Sequence, residues 1–254
     1  MNGLFDVKTL TDGQFEVVYN VLSFGFACML ATTIYLYIST GRVLPKYRQA
    51  ITVAGTVTLI ALYHYWRIFD SFVAAGNEGT FNEAYRYVDW ILTVPLLLLE
   101  TVAVLALPAV NRKSLISKLV PASALMIVLG YPGEISNMTS TKLVWGALST
   151  IPFLFILYVL YVELGKSLDK QTPEVSASIG RLRILLIATW GVYPISYLMP
   201  VFGLDGANAF VGRQIGYTVA DVLAKCLFGL TIYKIAKLKS AQDSPEYAKA
   251  ELGE

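Results

Sequence analysis

Long apolar stretches alternate along the chain with short segments rich in polar residues, glycine and proline. A helix needs ~20 apolar residues to cross a bilayer core about 30 Å thick, and the apolar stretches are close to that length. Glycine and proline in the separators are typical of turns. The pattern predicts seven transmembrane helices, over residues 17–39, 50–75, 84–107, 115–130, 143–164, 182–202 and 209–236.

We therefore expect an all-α integral membrane bundle. Residues 1–240 are predicted to form one seven-helix transmembrane domain, and residues 241–254 a charged cytoplasmic tail that is solvated and poorly ordered. The first residues, MNGLFDVKTLTDG, lack a basic start followed by an apolar run, so no cleavable signal peptide is expected.

Composition supports a membrane protein and argues against other classes. The chain is 56% hydrophobic and only 15% charged, so most of its surface must face lipid. The net charge of +2 is scattered, without a basic block or a phosphate-binding loop, which argues against a nucleic-acid partner. Cys28 and Cys226 lie in apolar stretches and are expected to pack as small hydrophobic residues, so no metal site is predicted.

The basic residues are divided unevenly between the two sets of loops. By the positive-inside rule the richer side is cytoplasmic, which puts the N-terminus outside and the C-terminus inside. The richer side holds Arg42, Lys46, Arg48, Arg112, Lys113, Lys118, Lys166, Lys170, Arg181, Arg183, Lys234, Lys237 and Lys239, against Lys8, Lys142 and Arg213 on the other.

Several ionisable residues fall inside the predicted helices, where a charge costs about 2.5 to 3.5 kcal/mol at the bilayer centre. Asp221 and Lys225 are four residues apart on helix seven and can meet on one face. Lys225 is too deep to reach either interface. In a dry interior a lysine readily loses its proton, and the neutral amine can condense with an aldehyde.

Helix three carries a second set of ionisable residues. Thr93 is four residues and Glu100 eleven residues after Asp89, so all three share one stripe, with Glu100 about 16 Å along the axis. Arg86 lies one turn outside Asp89. This column is typical of a proton path, and the alternative is a set of polar contacts that hold helices together.

Three motifs carry a family resemblance. The run RYVDWILTVPLLLLE from Arg86 to Glu100, the sequence DVLAK from Asp221 to Lys225, and the sequence WGVYP over residues 190–194 resemble helices three, seven and six of microbial rhodopsins. With the single histidine, His64, and the run GYPGEIS over residues 130–136, the chain is most similar to xanthorhodopsin-like and proteorhodopsin-like outward proton pumps. The resemblance covers essentially all seven helices.

The resemblance implies all-trans retinal bound covalently to Lys225, in a protein of the prokaryotic plasma membrane that moves protons, contacts membrane lipids and forms a homo-oligomer. It implies that Asp89 is the primary counterion and proton acceptor, Asp221 the second counterion and Glu100 the proton donor. Six residues are accordingly assigned to transport: Asp89, Glu100, Asp221, His64, Arg86 and Thr93. His64 is expected to hydrogen-bond to Asp89, although a lone histidine is more often structural.

The same resemblance implies the walls of a retinal pocket and its colour. Beside Lys225, the expected lining residues are Trp90, Trp190, Tyr193, Pro194, Leu97, Gly146, Gly130, Met126 and Tyr197, with Tyr217 as a further candidate. The apolar Leu97, eight residues after the counterion, implies green absorption. Gly146 implies a lateral window where a carotenoid could act as an antenna, and the alternative is a small residue that lets two helices approach.

The same residues argue for and against other functions. The chain is expected to be an ion transporter and not an enzyme. Chloride-pumping and sodium-pumping relatives carry other residues at the positions of Asp89, Thr93 and Glu100, which argues against both activities. A light sensor that signals to a partner protein stays open, although such sensors often lack the carboxylate found here at Glu100. Glu134 is expected to be a solvated carboxylate in the extracellular loop after helix four, and the alternative is a part in proton release.

Overall fold

The computed structural model describes residues 5–78, 81–105, 109–166, 168, 171–204 and 206–253. Their architecture is a bundle of seven long helices, which confirms the predicted fold. The helices are α1 (Asp12–Ser39), α2 (Pro45–Glu78), α3 (Ala84–Val104), α4 (Ala109–Glu134), α5 (Thr139–Lys166), α6 (Pro173–Tyr197) and α7 (Gly206–Asp243). Short 3-10 turns cover Val7–Thr9, Thr40–Arg42 and Met199–Phe202.

Helix α4 differs most from its predicted bounds. It extends beyond residues 115–130 at both ends and includes Pro121 and Pro132. Pro132 and Gly133, which lie between the fourth and fifth predicted helices and were expected to form a turn, are therefore part of the helix. In membrane helices, neighbouring helices and side chains can satisfy the backbone groups that a proline leaves free, so proline is a weaker stop signal there than in water. Helix α6 also begins early, at Pro173, because proline is favoured in the first turn of a helix.

The outer surface of the bundle is apolar and the inside is partly polar. Six of the described helices are long and apolar enough to cross a membrane, all of the seven except α2. Exposed positions carry large apolar side chains such as Phe24, Ile151 and Ile184, which are 58%, 67% and 70% exposed. Buried positions include Thr58 and Gln214, which are fully enclosed. This distribution suits a lipid environment around a functional interior.

The two ends of the bundle differ in charge. We call the end that contains residues 40–45, 109–113 and 238–253 the basic end, and the end that contains residues 5–11, 81–83 and 199–204 the opposite end. At the opposite end, Phe72, Phe81 and Phe210 form a cluster between α2 and α7, with the Phe81 and Phe210 rings 5.5 Å apart. This cluster packs α2 against α7, the helix that carries Asp221 and Lys225.

The structure differs from the expectation of a poorly ordered tail. Helix α7 continues to Asp243, and helical turns follow over Pro245–Tyr247 and Ala248–Leu252. Asp243 pairs with Lys46 at 2.7 Å and accepts a hydrogen bond from the Tyr47 hydroxyl. The Tyr247 hydroxyl donates to the carbonyl of Arg42. These contacts tie the tail to the segment between α1 and α2.

Candidate functional site

Lys225 occupies the centre of the bundle. It lies in a π-helical segment of α7, Val222–Leu227, and is 1% exposed. Its Nζ donates to Oδ2 of Asp89 on α3 and, at 2.8 Å, to Oδ1 of Asp221 one turn earlier on α7. The amine is thus held between two carboxylates that are themselves 1% and 0% exposed.

Asp221 is fixed from every side. Its Oδ1 accepts hydrogen bonds from Trp90 Nε1 at 3.1 Å and from the Tyr193 hydroxyl at 2.7 Å. Its Oδ2 accepts from the Tyr65 hydroxyl at 2.9 Å and lies 3.5 Å from Nη1 of Arg86. Such a set of donors and cations favours the charged form of the carboxylate and leaves it little freedom to move.

Asp89 is held less completely. One carboxylate oxygen accepts from Lys225, while Oδ1 is buried without a hydrogen-bond partner in the described structure. The Thr93 hydroxyl donates to the backbone carbonyl of Asp89 at 2.8 Å, not to its carboxylate. His64 is 5% exposed and its Nδ1 also lacks a partner among the described residues. The expected bond between His64 and Asp89 is not formed through Nδ1 and Oδ1 and stays a prediction.

Glu100 is isolated on the side of the site toward the basic end. It is fully buried, and neither carboxylate oxygen has a hydrogen-bond partner in the described structure. Burying an ionised carboxylate without a partner is costly, so this environment favours the neutral acid. The residue can therefore store a proton inside the bundle.

A cavity of about 340 Å³ extends from Lys225 between α3, α4, α5 and α6. Its walls are mostly aromatic and aliphatic, as in sites for apolar cofactors. The cavity brings together all ten residues that the sequence assigned to the pocket: Lys225, Trp90, Trp190, Tyr193, Pro194, Leu97, Gly146, Gly130, Met126 and Tyr197. Tyr217 and Tyr87 also line it.

The α5 wall of this cavity is thin. Leu143, Ala147 and Thr150 line the cavity and are also exposed on the outer face of the bundle. A Cβ atom added at Gly146 would lie 2.9 Å from Cε1 of Tyr197, so a side chain at this position would have to displace the tyrosine ring. The glycine keeps the cavity close to the outer surface.

A second buried polar cluster lies toward the opposite end, and we call Glu83, Glu134 and Arg213 the opposite-end triad. Arg213 contacts Glu83 at 2.7 Å and Glu134 at 3.0 Å. The hydroxyl groups of Tyr217 and Tyr87 donate to Oε2 of Glu134 at 2.9 and 3.3 Å. Burial and the nearby Glu134 raise the pKa of the Glu83 carboxyl, while Arg213 opposes that rise.

The triad corrects one expectation. Glu134 is not a solvated loop residue, because it ends α4 and is only 4% exposed. Arg213 entered the prediction only through the charge balance of the two sides, and no role was predicted for Glu83, Tyr65 or Gln214. Gln214 connects the opposite-end triad to the charged groups around Lys225, since it follows Arg213 in the sequence and accepts a hydrogen bond from Nη2 of Arg86 at 2.8 Å. The local sequence gave no signal for these contacts, because each joins positions more than 20 residues apart.

Comparisons with known proteins agree with this geometry. Residues 17–238 match the family model described as bacteriorhodopsin-like protein. Green-light absorbing proteorhodopsin from Gamma-proteobacterium EBAC31A08 is 33% identical over 85% of this chain and 84% of its own length. Archaerhodopsin-2 from Halobacterium sp. (strain aus-2) is 32% identical over 93% and 91% of the two chains.

Solved structures are similar over the whole bundle. The structure of xanthorhodopsin, described as a light-driven ion pump with dual chromophore, has a TM-score of 0.86 and 47% identity, and the match covers 92% of this chain and 97% of that one. A thermophilic rhodopsin has a TM-score of 0.87 and 42% identity, over 92% and 98% of the two chains.

Proposed function

Because the chain belongs to the bacteriorhodopsin-like family, whose rhodopsins bind retinal in membranes, we propose that it is a light-driven outward proton pump with retinal bound to Lys225. One observation carries the proposal. The buried amine of Lys225 lies between two carboxylates at the end of an otherwise apolar cavity, and a further buried carboxylate, Glu100, has no hydrogen-bond partner among the described residues.

The described residues suit all-trans retinal. An aldehyde needs a neutral amine to react with, and Lys225 is the amine that lines the cavity. The long polyene needs an elongated apolar wall, which Trp90, Leu97, Trp190 and Tyr193 supply. Retinal bound as a protonated Schiff base would absorb visible light and isomerise, which would reorient the nitrogen of Lys225.

The two central carboxylates have different roles in this proposal. Asp221 keeps its charge, since four side chains other than Lys225 hold its two oxygens. Asp89 accepts the proton from the nitrogen of Lys225, since it contacts that nitrogen and has a free carboxylate oxygen. His64 and Thr93 adjust the proton affinity of Asp89, and Arg86 stabilises the negative charge on the opposite-end side.

Glu100 returns a proton to the nitrogen of Lys225 from the side of the basic end. The lysine and arginine distribution places this end in the cytoplasm, so the proton taken up there leaves on the outside. Arg86, Gln214 and the opposite-end triad provide polar groups for the exit. An internal donor suits a pump better than a light sensor, because rapid reprotonation shortens the cycle.

Illumination of cells that express the chain with added retinal tests the direction of transport. We expect the external medium to acidify in the light and the signal to disappear with a protonophore. Alkalinisation that the protonophore enhances would contradict the proposal, because it indicates passive proton uptake coupled to movement of another ion. Absence of any pH change in a coloured protein would favour the sensor.

We further propose that a carotenoid antenna binds at the thin α5 wall, in line with the dual chromophore in the description of xanthorhodopsin. The supporting observations are the exposed residues Leu143, Ala147 and Thr150 on the cavity wall and the absence of a side chain at Gly146. A carotenoid lying along the outer face of α5 would bring its end ring close to retinal. Excitation energy absorbed in the blue could then reach the pump.

The antenna is tested by adding a hydroxylated carotenoid to the purified protein and recording the action spectrum of pumping. We expect a structured blue shoulder that Gly146→Trp removes and that the control Leu148→Trp keeps, since Leu148 is exposed on α5 but does not line the cavity. The retinal band should survive in both variants. If no carotenoid changes the wild-type spectrum, the antenna proposal fails while the pump proposal stands.

A further inference from the structure

A second cleft opens between α1 and α7 at the basic end. Its volume is about 810 Å³. The α1 side contributes Ala31, Thr32, Tyr35 and Arg42, and the α7 side contributes Leu230, Tyr233, Lys234, Lys237 and Leu238. The cleft thus joins an apolar floor to three cationic side chains, and among its described lining residues there is no carboxylate.

The three cations differ from Lys46, Lys166 and Lys239, three other cations at the same end of the bundle. Lys46 pairs with Asp243, and Lys166 pairs with Glu163. Lys239 is buried and donates to the carbonyl of Leu105. For Arg42, Lys234 and Lys237, by contrast, the described residues provide no ion-pair partner within 4 Å. Three cations without an ion-pair partner among the described residues can therefore bind an anion from outside the chain.

The surroundings of the cleft indicate where that anion comes from. Tyr35 and Tyr233 line it with their rings 5.8 Å apart, edge to face, and tyrosine is favoured at the membrane interface. The neighbouring outward positions Ile34 and Ile38 are 54% and 68% exposed, so the flank of α1 faces lipid chains. A ligand with an anionic head and long apolar chains satisfies both parts of the cleft, whereas free phosphate would use only the cations.

We infer that this cleft binds one anionic phospholipid, whose phosphate contacts Arg42, Lys234 and Lys237 and whose acyl chains lie against Ala31, Leu230 and the exposed flank of α1. Basic pockets between transmembrane helices on the cytoplasmic side are known to bind anionic head groups. The site goes beyond the proposed pump and does not depend on it, since it requires only that the bundle lies in a membrane.

Native mass spectrometry of the retinal-loaded full chain, released from mixed micelles with equal phosphatidylglycerol and phosphatidylcholine, tests this inference. We expect one phosphatidylglycerol to stay bound in preference to phosphatidylcholine. A cation near an anionic lipid contributes roughly fivefold in affinity, so the triple variant Arg42→Gln/Lys234→Gln/Lys237→Gln should bind on the order of 100-fold more weakly. Single variants should each lose roughly fivefold, which keeps the test available if the triple variant does not fold.

A matched control separates a specific site from general attraction. Arg112→Gln/Lys113→Gln/Lys118→Gln removes the same charge from exposed positions on α4 at the same end, and its lipid binding should stay close to wild type. Equal loss in the two triple variants would overturn the site, as would equal retention of the two lipids by the wild type. Displacement of the lipid by millimolar inorganic phosphate would overturn the lipid assignment and indicate a site for free phosphate.

Discussion

Glu100→Gln isolates one proton transfer with little change to packing. Glutamine has nearly the size of glutamate but carries no acidic proton. Glu100 is fully buried and neither of its oxygens has a hydrogen-bond partner in the described structure, so the substitution breaks no observed contact. We therefore expect the bundle, the retinal band and the first proton transfer to Asp89 to be retained.

The magnitude follows from what can replace the lost donor. A positioned general acid contributes about 100- to 10,000-fold in rate. Asp89 is about 16 Å away along α3 and receives a proton at that stage. Asp243 at the basic end is already engaged by Lys46 and Tyr47. The variant must then draw its proton from solvent, and recovery should slow by at least roughly 100-fold.

Dependence on external pH distinguishes this mechanism from a general defect. Recovery of the visible band after a flash should slow about tenfold for each unit of rising pH in the variant, because protons from solvent become a reactant. The wild type should show a much flatter dependence. Glu163→Gln, which removes a carboxylate that pairs with Lys166 at the basic end, should leave the recovery unchanged. A Glu100→Gln protein with wild-type recovery at every pH would refute the donor role.

Four further substitutions test other parts of the site. Lys225→Ala should give a colourless protein with retinal, while Lys142→Ala, at another buried lysine, should keep its colour, as absorption spectra will show. Asp89→Asn should shift absorption to longer wavelength and stop light-driven acidification, and normal pumping would contradict the acceptor role. Leu97→Gln should shift the green band toward the blue, since Leu97 lines the cavity; an unchanged band would assign the tuning elsewhere. Glu134→Gln breaks a buried ion pair with Arg213 and should cost about 3 kcal/mol, seen as a melting temperature lower by roughly 10 °C.

The sequence predicted those parts of the protein that depend on local patterns. Seven apolar stretches located the helices, since span length follows from membrane thickness. The spacing of Asp221 and Lys225 was sufficient to predict their contact, because four residues make about one turn. The resemblance to rhodopsins selected ten residues from five different helices, and the structure places all ten around one cavity.

The opposite-end triad could not be predicted in this way. Hydropathy assigns a charged residue near a helix end to the adjoining loop, and this rule placed Glu134 in solvent and gave Arg213 no buried partner. Their burial depends on each other, since Arg213 on α7 compensates Glu134 on α4 and Glu83 before α3. Tyr65 presents the same difficulty, because a tyrosine on an apolar helix is usually core, and its bond to Asp221 depends on how α2 approaches α7.

The π-helical segment Val222–Leu227 divides α7 into two halves that are rotated relative to each other when compared with an uninterrupted α-helix. A π turn holds one residue more than an α turn, and each residue advances an α-helix by about 100°. The half before the segment and the half after it therefore have faces that are out of phase with an uninterrupted helix. Gln214 and Asp221 are buried before the segment, and Phe228 and Ile232 are buried after it. Deleting a single residue from the segment should let an α turn replace the π turn, so both halves would keep the faces that they bury, whereas an uninterrupted α-helix of the same length would rotate one half by about 100° relative to the other.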